Sequence, residues 1–329
     1  MKSTPRGLLR IGLFFAIGTI SAFALDFLID RTLRKAESAE IGIWNQIVRG
    51  DINVPILISG SSRGLVHYNS LVIQDALHHG TFNISLNASR TDLQLARLRT
   101  YLNHNTKPKL LIQNLDTHSL ALTRGVYDPG QFVPFLSEEP LYSALAALDP
   151  AVWKWKYIPL YGYAVEDFRH LWFFSSLEVL GFRPPAKRLN GFEPRHLPWS
   201  GDFDSFREAN PTGVTIDFEP EGIRILQELI SLCKSQEIDV VLVYSPEYFE
   251  MIPLANNRQE IFDTFRRLAQ ESGVPFLDYS DSPLCKKRDN FYNSQHMNAT
   301  SATAFSLDLA ARLQDLELNG QIQLGIVTR

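Results

Sequence analysis

The stretch that decides the fold lies near the start of the chain and reads ILISGSSR at residues 56–63. Its first half belongs to an apolar run, 54–59, of the kind found in parallel strands that helices cover on both faces. Gly60 then permits a tight turn, and Ser62 follows where a helix would begin. A serine in such a turn can expose its hydroxyl while backbone N–H groups point at a developing negative charge. The stretch predicts a strand, a turn and a helix, with Ser62 as a candidate nucleophile.

A second segment, FYNSQHMN at residues 291–298, supplies a candidate base for Ser62. His296 comes just before Asn298, which reads as the N-terminal cap of a final helix. A serine and a histidine at these places suggest a nucleophile and its base brought together by the fold. The residue three before the histidine, where a carboxylate would orient the imidazole, is Asn293. Loop rearrangement could instead bring Asp281 or Asp289 to the imidazole, although both are read more simply as exposed loop acids.

Strand-like and helix-like patterns alternate along most of the chain. Further apolar runs of strand length occur at 82–86, 109–115, 239–244 and 274–277. Helical periodicity lies between and after them, at about 69–78, 92–103, 220–236, 258–272 and 302–316. Alternation of this kind with right-handed crossovers predicts an α/β fold, a three-layer doubly wound and mostly parallel sheet. The functional residues of such sheets lie at the carboxyl ends of the strands.

The alternation is interrupted between about 120 and 215 by an insert rich in aromatic residues and proline. We predict a cap or a partner-docking subdomain here. Its segment 153–157, WKWKY, could stack on sugar rings or lie at a bilayer interface, and the simpler interpretation is a cap packed by its own tryptophans. The predicted organisation is an anchor at 1–30, a polar helical stalk at 31–50, a main domain at 51–318 with this insert, and a tail at 319–329.

The N-terminus carries a targeting signal. Basic residues precede an apolar stretch, counted from Leu8 to Ile29, that is long enough to cross a bilayer with Arg10 and Asp26 near its two interfaces. We predict a single-pass anchor in the inner or cytoplasmic membrane with the remainder facing outward, into the periplasm. The alternatives are a cleaved signal peptide, suggested by the small-residue pattern at 22–24, and a buried core helix.

Composition excludes some classes of partner. The net charge of −4 and a pI near 6.1 give no electrostatic case for binding nucleic acid. The seven histidines other than His296 show no recurrent ligand spacing, so no bound metal is implied. We expect no other cofactor. The two cysteines, Cys233 and Cys285, could pair in an oxidising compartment, whereas Cys233 has the surroundings of an ordinary buried helix residue.

The segments around Ser62 and His296 resemble those of the SGNH (GDSL-like) hydrolase superfamily, especially its membrane-anchored extracytoplasmic members related to DltD and to the alginate O-acetylation proteins. The resemblance covers about residues 52–118 and 238–313 and leaves the aromatic insert out. It implies that Ser62 is the nucleophile and that His296 is its base. The final block of this family normally reads Asp-x-x-His, and here Asn293 takes the place of the aspartate.

The resemblance also implies where the oxyanion would be stabilised. A backbone N–H in the turn after the second strand corresponds to Asn87 and Ala88, where glycine is usual. A side-chain amide after the third strand corresponds to Asn114, although the flanking glycine and aspartate of the family pattern are missing. An asparagine can accept the imidazole N–H but cannot stabilise imidazolium with a full charge.

The function implied is O-acyl transfer or ester hydrolysis on a cell-envelope polysaccharide, with a multi-pass membrane acyltransferase as a possible source of the acyl group. The alternative is a catalytically weak or inactive accessory protein that binds glycan or such a membrane partner. A lipase is a third possibility, and it would need an apolar tunnel for the acyl chain.

Overall fold

The computed structural model describes residues 5–164 and 168–325. Residues 1–4, 165–167 and 326–329, which fall in the predicted anchor, insert and tail, lie outside the described residues. The chain forms two compact units, one of Met1–Asn45 with Asp128–Lys187 and the other of Gln46–Tyr127 with Arg188–Arg329. The segment predicted as an insert is therefore divided between the two units.

A five-stranded parallel sheet is the centre of the second unit. Its strands are β1 (Ile56–Ser59), β2 (Thr81–Asn83), β3 (Leu110–Leu115), β4 (Asp239–Tyr244) and β5 (Phe276–Asp278). They lie in the order β2-β1-β3-β4-β5, and every neighbouring pair is parallel. A small antiparallel ribbon of β6 (Phe291–Asn293) and β7 (His296–Met297) follows. The predicted mostly parallel α/β sheet is confirmed.

The helices follow the predicted periodicity closely. They are α1 (Pro5–Leu33), α2 (Ala39–Arg49), α3 (Ser62–His67), α4 (Ser70–Leu77), α5 (Thr91–His104), α6 (Glu139–Leu148), α7 (Val152–Tyr157), α8 (Tyr161–Ala164), α9 (Phe168–Val179), α10 (Asp202–Ala209), α11 (Pro220–Ser235), α12 (Arg258–Ser272) and α13 (Ala299–Leu318). Between β3 and α11 the chain also forms short helices that apolar periodicity alone did not predict.

One face of the sheet is covered by α4 and α13. Strand residues such as Ile58 and Ile112 pack there against Ile73 of α4 and Phe305 of α13, and all four side chains are buried. On α13 the buried residues recur at spacings of three and four, so a single apolar stripe faces the sheet. Burying both faces of the central strands explains their unbroken apolar runs.

The first unit contains the one helix that is long and apolar enough to cross a membrane among residues 5–164 and 168–325. Along α1 the side chains are exposed up to about Ser21, whereas Ile29 and Leu33 near its end are buried with Tyr163. The second helix, α2, lies in the segment predicted as a stalk, and it contributes a side chain to the interior. Its Trp44 is fully buried and lies against the rings of Phe132 and Phe135.

The two cysteines are separate free thiols, and both are buried. Burial raises the pKa of Cys233 to about 12 and that of Cys285 to about 11. Because the thiolate is the reactive form, both side chains are poor nucleophiles near neutral pH.

Candidate active site

The first residue of α3 is Ser62, at the point where β1 has ended and the chain turns into the helix. The preceding Ser61 caps this helix, and its hydroxyl accepts the N–H of Arg63 at 3.4 Å. Ser61 Oγ also donates to Asp116 Oδ2 at 2.6 Å, within the buried interior. The two adjacent serines therefore have different surroundings, and the hydroxyl of Ser62 is the one directed to a histidine.

That histidine is His296, whose Nε2 lies 2.8 Å from Ser62 Oγ. His296 begins β7, where it pairs with Asn293 across the turn of the ribbon. Asn298 then caps α13, because its Oδ1 accepts the N–H of Ser301 at 3.1 Å. The ribbon and the capped helix hold the imidazole from both sides.

The other imidazole nitrogen meets Asn293. Its Oδ1 lies 2.9 Å from His296 Nδ1 and also accepts the backbone N–H groups of Gln295 at 3.1 Å and His296 at 2.9 Å. An amide nitrogen cannot accept a hydrogen bond, so the atom that faces these two N–H groups is the oxygen. Nδ1 must then carry the proton, and Nε2 is left to accept one from Ser62. Asn293 thus fixes the tautomer that a general base requires.

Neither aspartate considered as a substitute for the missing carboxylate takes this position. Asp281 and Asp289 are both exposed, and the backbone carbonyl of Asp289 accepts a hydrogen bond from Asn298 Nδ2 at 2.6 Å. The described partner of His296 Nδ1 is Asn293.

The surroundings of His296 favour the neutral ring. Burial lowers its pKa, the positive charges of Arg63 and Arg195 lower it further, and Asp116 opposes them, so that the pKa is about 4. Near pH 7 the imidazole is therefore ready to accept a proton. It is also a weaker base than an ordinary histidine, because burial and the charge of Arg63 disfavour the protonated ring. The described hydrogen-bond partners of the ring, Ser62 and Asn293, carry no charge that would oppose this.

Asn114 stands near the end of β3 and is fully buried. Its Oδ1 accepts the hydroxyls of Tyr68 at 2.8 Å and of Ser245 at 3.0 Å. Its Nδ2 has no hydrogen-bond partner among the residues that the structure describes. A buried donor without a partner costs about 1–3 kcal/mol, so it calls for an explanation.

Gly60 is the neighbour that brings the turn close to Asn114. A Cβ at position 60 would lie 2.7 Å from Asn114 Cβ and 3.2 Å from the Cα of Gly64. Glycine at this position therefore lets the start of α3 and the end of β3 approach each other more closely than any side chain would permit.

A second buried histidine orients Asn114 through Ser245. His67 Nε2 accepts the N–H of Met297 at 3.0 Å, so its Nδ1 carries the proton and donates to Ser245 Oγ at 2.8 Å. The hydroxyl of Ser245 in turn donates to Asn114. Burial holds the pKa of His67 well below its usual range, and the charge of Arg63 contributes.

The turn predicted to supply a backbone donor lies beside the turn of Ser62. The N–H of Leu86 donates to the carbonyl of Gly60 at 2.9 Å, and the turn closes when Ser89 Oγ donates to the carbonyl of Leu86 at 2.7 Å. Ala88 has a φ of +52°, the left-handed conformation that glycine favours. The glycine that the resemblance led us to expect in this turn is absent, and Ala88 adopts a conformation that glycine would favour.

Arg63 ties α3 to the end of β4. Its buried guanidinium donates to the carbonyl of Ser245 and, at 3.3 Å, to that of Pro246. The same group lies 4.4 Å from the centre of the Tyr244 ring. This cation stabilises the helix that begins with Ser62 and adds positive charge near His296.

Three groups of residues at the site were not predicted from the sequence. Tyr292 stacks on the imidazole of His296, with ring centres 5.4 Å apart and planes 11° apart. Asp116 accepts the hydroxyl of Ser61, and His67 and Ser245 form the hydrogen bonds that end at Asn114. The segment 190–200, predicted as part of the insert, lies beside the site. The N–H of Ala299 donates to the carbonyl of Arg195 at 2.8 Å, and the N–H of Ser200 donates to the carbonyl of Tyr292 at 2.8 Å. Tyr292 lies within the segment 291–298 and Ser245 directly follows the predicted strand 239–244, so their positions could have indicated a role at the site.

Within residues 5–164 and 168–325, no group of three or more His, Cys, Asp or Glu side chains is arranged to hold a metal ion. The arrangement places the hydroxyl of Ser62 within hydrogen-bond distance of a neutral imidazole, a geometry in which a histidine can activate a serine.

Comparison with known proteins finds likeness only among solved structures. No protein-family model matches the chain, and no curated protein matches it. A candidate acylhydrolase of Bacteroides fragilis is similar over 79% of this chain and 87% of its own, at 12% identity and a TM-score of 0.39. A GDSL-like lipase of Bacteroides thetaiotaomicron is similar over 80% and 88%, at 12% identity and a TM-score of 0.36. A candidate lipolytic protein of the G-D-S-L family from Desulfitobacterium hafniense is similar over 78% and 98%, at 10% identity and a TM-score of 0.38.

Proposed function

We propose that this protein is a membrane-anchored, outward-facing acyltransferase or esterase of the SGNH type that acts on ester groups of a cell-envelope polysaccharide. The single observation that carries the proposal is the chain of contacts from Ser62 through His296 to Asn293. It joins a hydroxyl to an imidazole in the tautomer that can accept its proton.

The reaction begins when Ser62 Oγ attacks the carbonyl carbon of an acyl ester. A bond forms between the oxygen and the carbon, and the hydroxyl proton passes to His296 Nε2. The tetrahedral intermediate then collapses, the bond to the leaving alcohol breaks, and His296 returns the proton to that oxygen. An acyl ester on Ser62 remains.

The second half repeats these steps with a new hydroxyl group. Water as the acceptor gives hydrolysis, and a sugar hydroxyl gives transfer. In either case His296 removes the proton of the acceptor and then protonates Ser62 as the acyl group leaves. Both outcomes need the same base and the same tautomer.

The negative charge on the carbonyl oxygen requires donors that are already in place. The proposed donors are the unpartnered Nδ2 of Asn114 and the backbone N–H groups near Ser62 and Ala88. An amide whose oxygen is held by Tyr68 and Ser245 cannot rotate to avoid this role. The proposed role also accounts for a buried donor that has no partner among the described residues.

The choice of substrate and compartment is supported by the resemblance to DltD-like and alginate O-acetylation-like proteins and by the N-terminal apolar helix α1. The proposed orientation places Ser62 and His296 on the periplasmic side. A multi-pass membrane acyltransferase would deliver the acyl group to Ser62.

The second candidate is an accessory protein that binds glycan or such a partner and performs little catalysis. Two observations favour it: an amide stands where a carboxylate would support the imidazolium, and the pKa of His296 is about 4. In that case the contacts around Ser62 persist although the chemistry is slow.

Covalent labelling distinguishes the two. The purified full chain is treated with a fluorophosphonate, and the intact mass and the labelled peptide are measured. We expect one adduct on Ser62 that is absent from Ser62→Ala and from His296→Gln.

Ser61→Ala is the matched control, because it removes the adjacent hydroxyl without touching His296. It should still be labelled, although the loss of its bond to Asp116 will lower stability. If the protein is folded and binds O-acetylated polysaccharide but is not labelled, the enzyme proposal fails and the accessory protein is the better account. Release of acetate from that polysaccharide, lost in Ser62→Ala, tests the substrate class separately.

A further inference from the structure

In the first unit, helix α7 and the turn after it expose several aromatic side chains, whereas other side chains of the same helix are buried. In α7 and the turn after it, Val152 and Trp155 face inward. Trp153 is 47% exposed, Tyr157 63%, Ile158 39% and Tyr161 37%. We call these four residues the aromatic rim. The rim is not the interior of a cap packed by its own tryptophans, since only Trp155 of this segment has that role.

The rim also carries two lysines. Lys154 Nζ lies 5.9 Å from the ring centre of Trp153 and 5.8 Å from that of Tyr161. Lys156 Nζ lies 5.6 Å from the ring centre of Tyr157. Tryptophan and tyrosine beside lysine are typical of the level where a bilayer meets water, because their rings are amphipathic and a lysine can extend to the phosphates.

The position of the rim along α1 is fixed by a hydrogen bond. The N–H of Leu160, between Ile158 and Tyr161, donates to Asp26 Oδ1 at 2.8 Å. The side chain of Leu160 packs against the cluster of Ile29, Leu33 and Tyr163. Leu160 has a φ of +65°, a conformation that costs a leucine roughly 1–2 kcal/mol. The bond and the packing together hold this strained turn at the level of Asp26.

The length of α1 gives that level a depth. From Leu8 to Leu25 the helix rises roughly 25–27 Å at about 1.5 Å per residue, close to the roughly 30 Å of a hydrocarbon core. The side chains of this stretch are exposed apart from Ala22, and its one charged residue, Arg10, lies near the start. If α1 crosses a bilayer, Asp26 lies at the outer boundary of the hydrocarbon core.

We propose that the aromatic rim is seated in the headgroup layer of the bilayer that α1 crosses, so that the first unit is held at the membrane surface by a second contact beside its anchor. This inference rests on the proposed membrane anchor. The occupant of the rim is phospholipid, because the rim is continuous with the membrane-crossing helix and carries positive charge suited to phosphate groups.

The test measures depth directly in the full-length chain. Single cysteines replace Tyr157 in the rim, Phe15 in the middle of α1 and Lys35 just beyond the end of α1, in a background with Cys233→Ala and Cys285→Ala. Each is labelled with an environment-sensitive NBD fluorophore, and the protein is placed in vesicles of phosphatidylcholine and phosphatidylglycerol. Lipids brominated high or low on the acyl chain are then used to quench the fluorescence.

We expect the label at Phe15 to lose fluorescence most with bromine deep in the chain, and the label at Tyr157 to lose it most with bromine near the headgroup. The label at Lys35 should lose little with either. If Phe15 is quenched while Tyr157 behaves as Lys35 does, the rim proposal fails and the anchor stands. If none of the three is quenched, the anchor and the rim fail together, and the serine chemistry is still tested by labelling of Ser62.

Discussion

Asn293 accepts the Nδ1 proton of His296 at 2.9 Å, and two backbone N–H groups fix which end of the amide does so. In a serine protease triad, replacing aspartate by asparagine costs about 10⁴ in turnover because the imidazole adopts the wrong tautomer. Here the backbone excludes that tautomer. The site lacks only the charge of a carboxylate, not its orienting function.

Asn293→Asp should therefore improve the site. The carboxylate can accept the same three hydrogen bonds, and a negative charge beside the ring should raise the pKa of His296 by about 1–3 units. We expect faster hydrolysis of a nitrophenyl acetate ester near pH 7. The midpoint of the acid limb of its pH–rate profile should move to higher pH by the same amount as the pKa of His296.

The comparison variant is Asn293→Ala, which leaves the Nδ1 proton without its acceptor and should slow the reaction. If Asn293→Asp and the unchanged protein give superimposable profiles, the absence of charge is not what limits His296.

The unchanged protein should remain reactive in mild acid. Only the neutral imidazole can take the proton of Ser62, and with a pKa of about 4 it stays neutral as the pH falls through the range in which an ordinary histidine becomes charged. The rate constant for labelling Ser62 should thus be flat down to about pH 5 and half its maximum near pH 4. A midpoint near pH 6.5 would contradict this account.

The same lowered pKa values should make the fold less stable in acid. The pKa values of His67 and His296 are both lowered in the folded protein, so the unfolded chain binds more protons between their ordinary pKa and the lowered ones. The free energy of unfolding is therefore at its full value above about pH 6.5 and falls as the solution is acidified. Circular dichroism at each pH separates this loss from a loss of reactivity.

Asn114→Ala should lower kcat by about 10²–10³, the usual cost of removing one oxyanion donor. The hydroxyl of Tyr68 is one of two groups that orient this amide, so Tyr68→Phe should have a smaller effect of the same sign. Steady-state hydrolysis with thermal unfolding as a companion measurement checks both variants. An Asn114→Ala protein that is folded and fully active would remove Asn114 from the oxyanion site.

Tyr292 should assist the base through its ring rather than its hydroxyl. A stacked aromatic pair contributes about 0.5–1.5 kcal/mol beyond its buried area, so Tyr292→Leu should reduce kcat by roughly two- to tenfold. Tyr292→Phe keeps the stacked ring and should behave as the unchanged protein does. Equal losses in both variants would assign the effect to the hydroxyl.

The sequence predicted those parts of the site whose structure depends on neighbouring residues. The strand before Ser62, the turn at Gly60 and the cap at Asn298 depend on local propensity, and all three have the predicted form. His296 could be connected to Ser62 because the carboxyl ends of parallel strands share one edge.

Other parts of the site depend on pairs that are far apart in the chain. Nothing local to Asn114 indicates that Ser245, directly after the neighbouring strand β4, would hold its oxygen. The division of the predicted insert between the two units could not be predicted from local sequence patterns either. Segment 190–200 has no regular periodicity, and its backbone hydrogen bonds to Tyr292 and Ala299 follow from tertiary packing alone.

In the row of hydrogen bonds from His67 through Ser245 to Asn114, every group donates in the same direction, towards Asn114. At one end the N–H of Met297 donates to the imidazole of His67, and at the other end the amide oxygen of Asn114 can only accept. The direction of donation along the row therefore cannot be reversed without breaking a hydrogen bond. Such a wire cannot shuttle protons. In the proposed reaction it would act as a fixed row of dipoles, so that no reorganisation would be needed when negative charge develops beside Asn114.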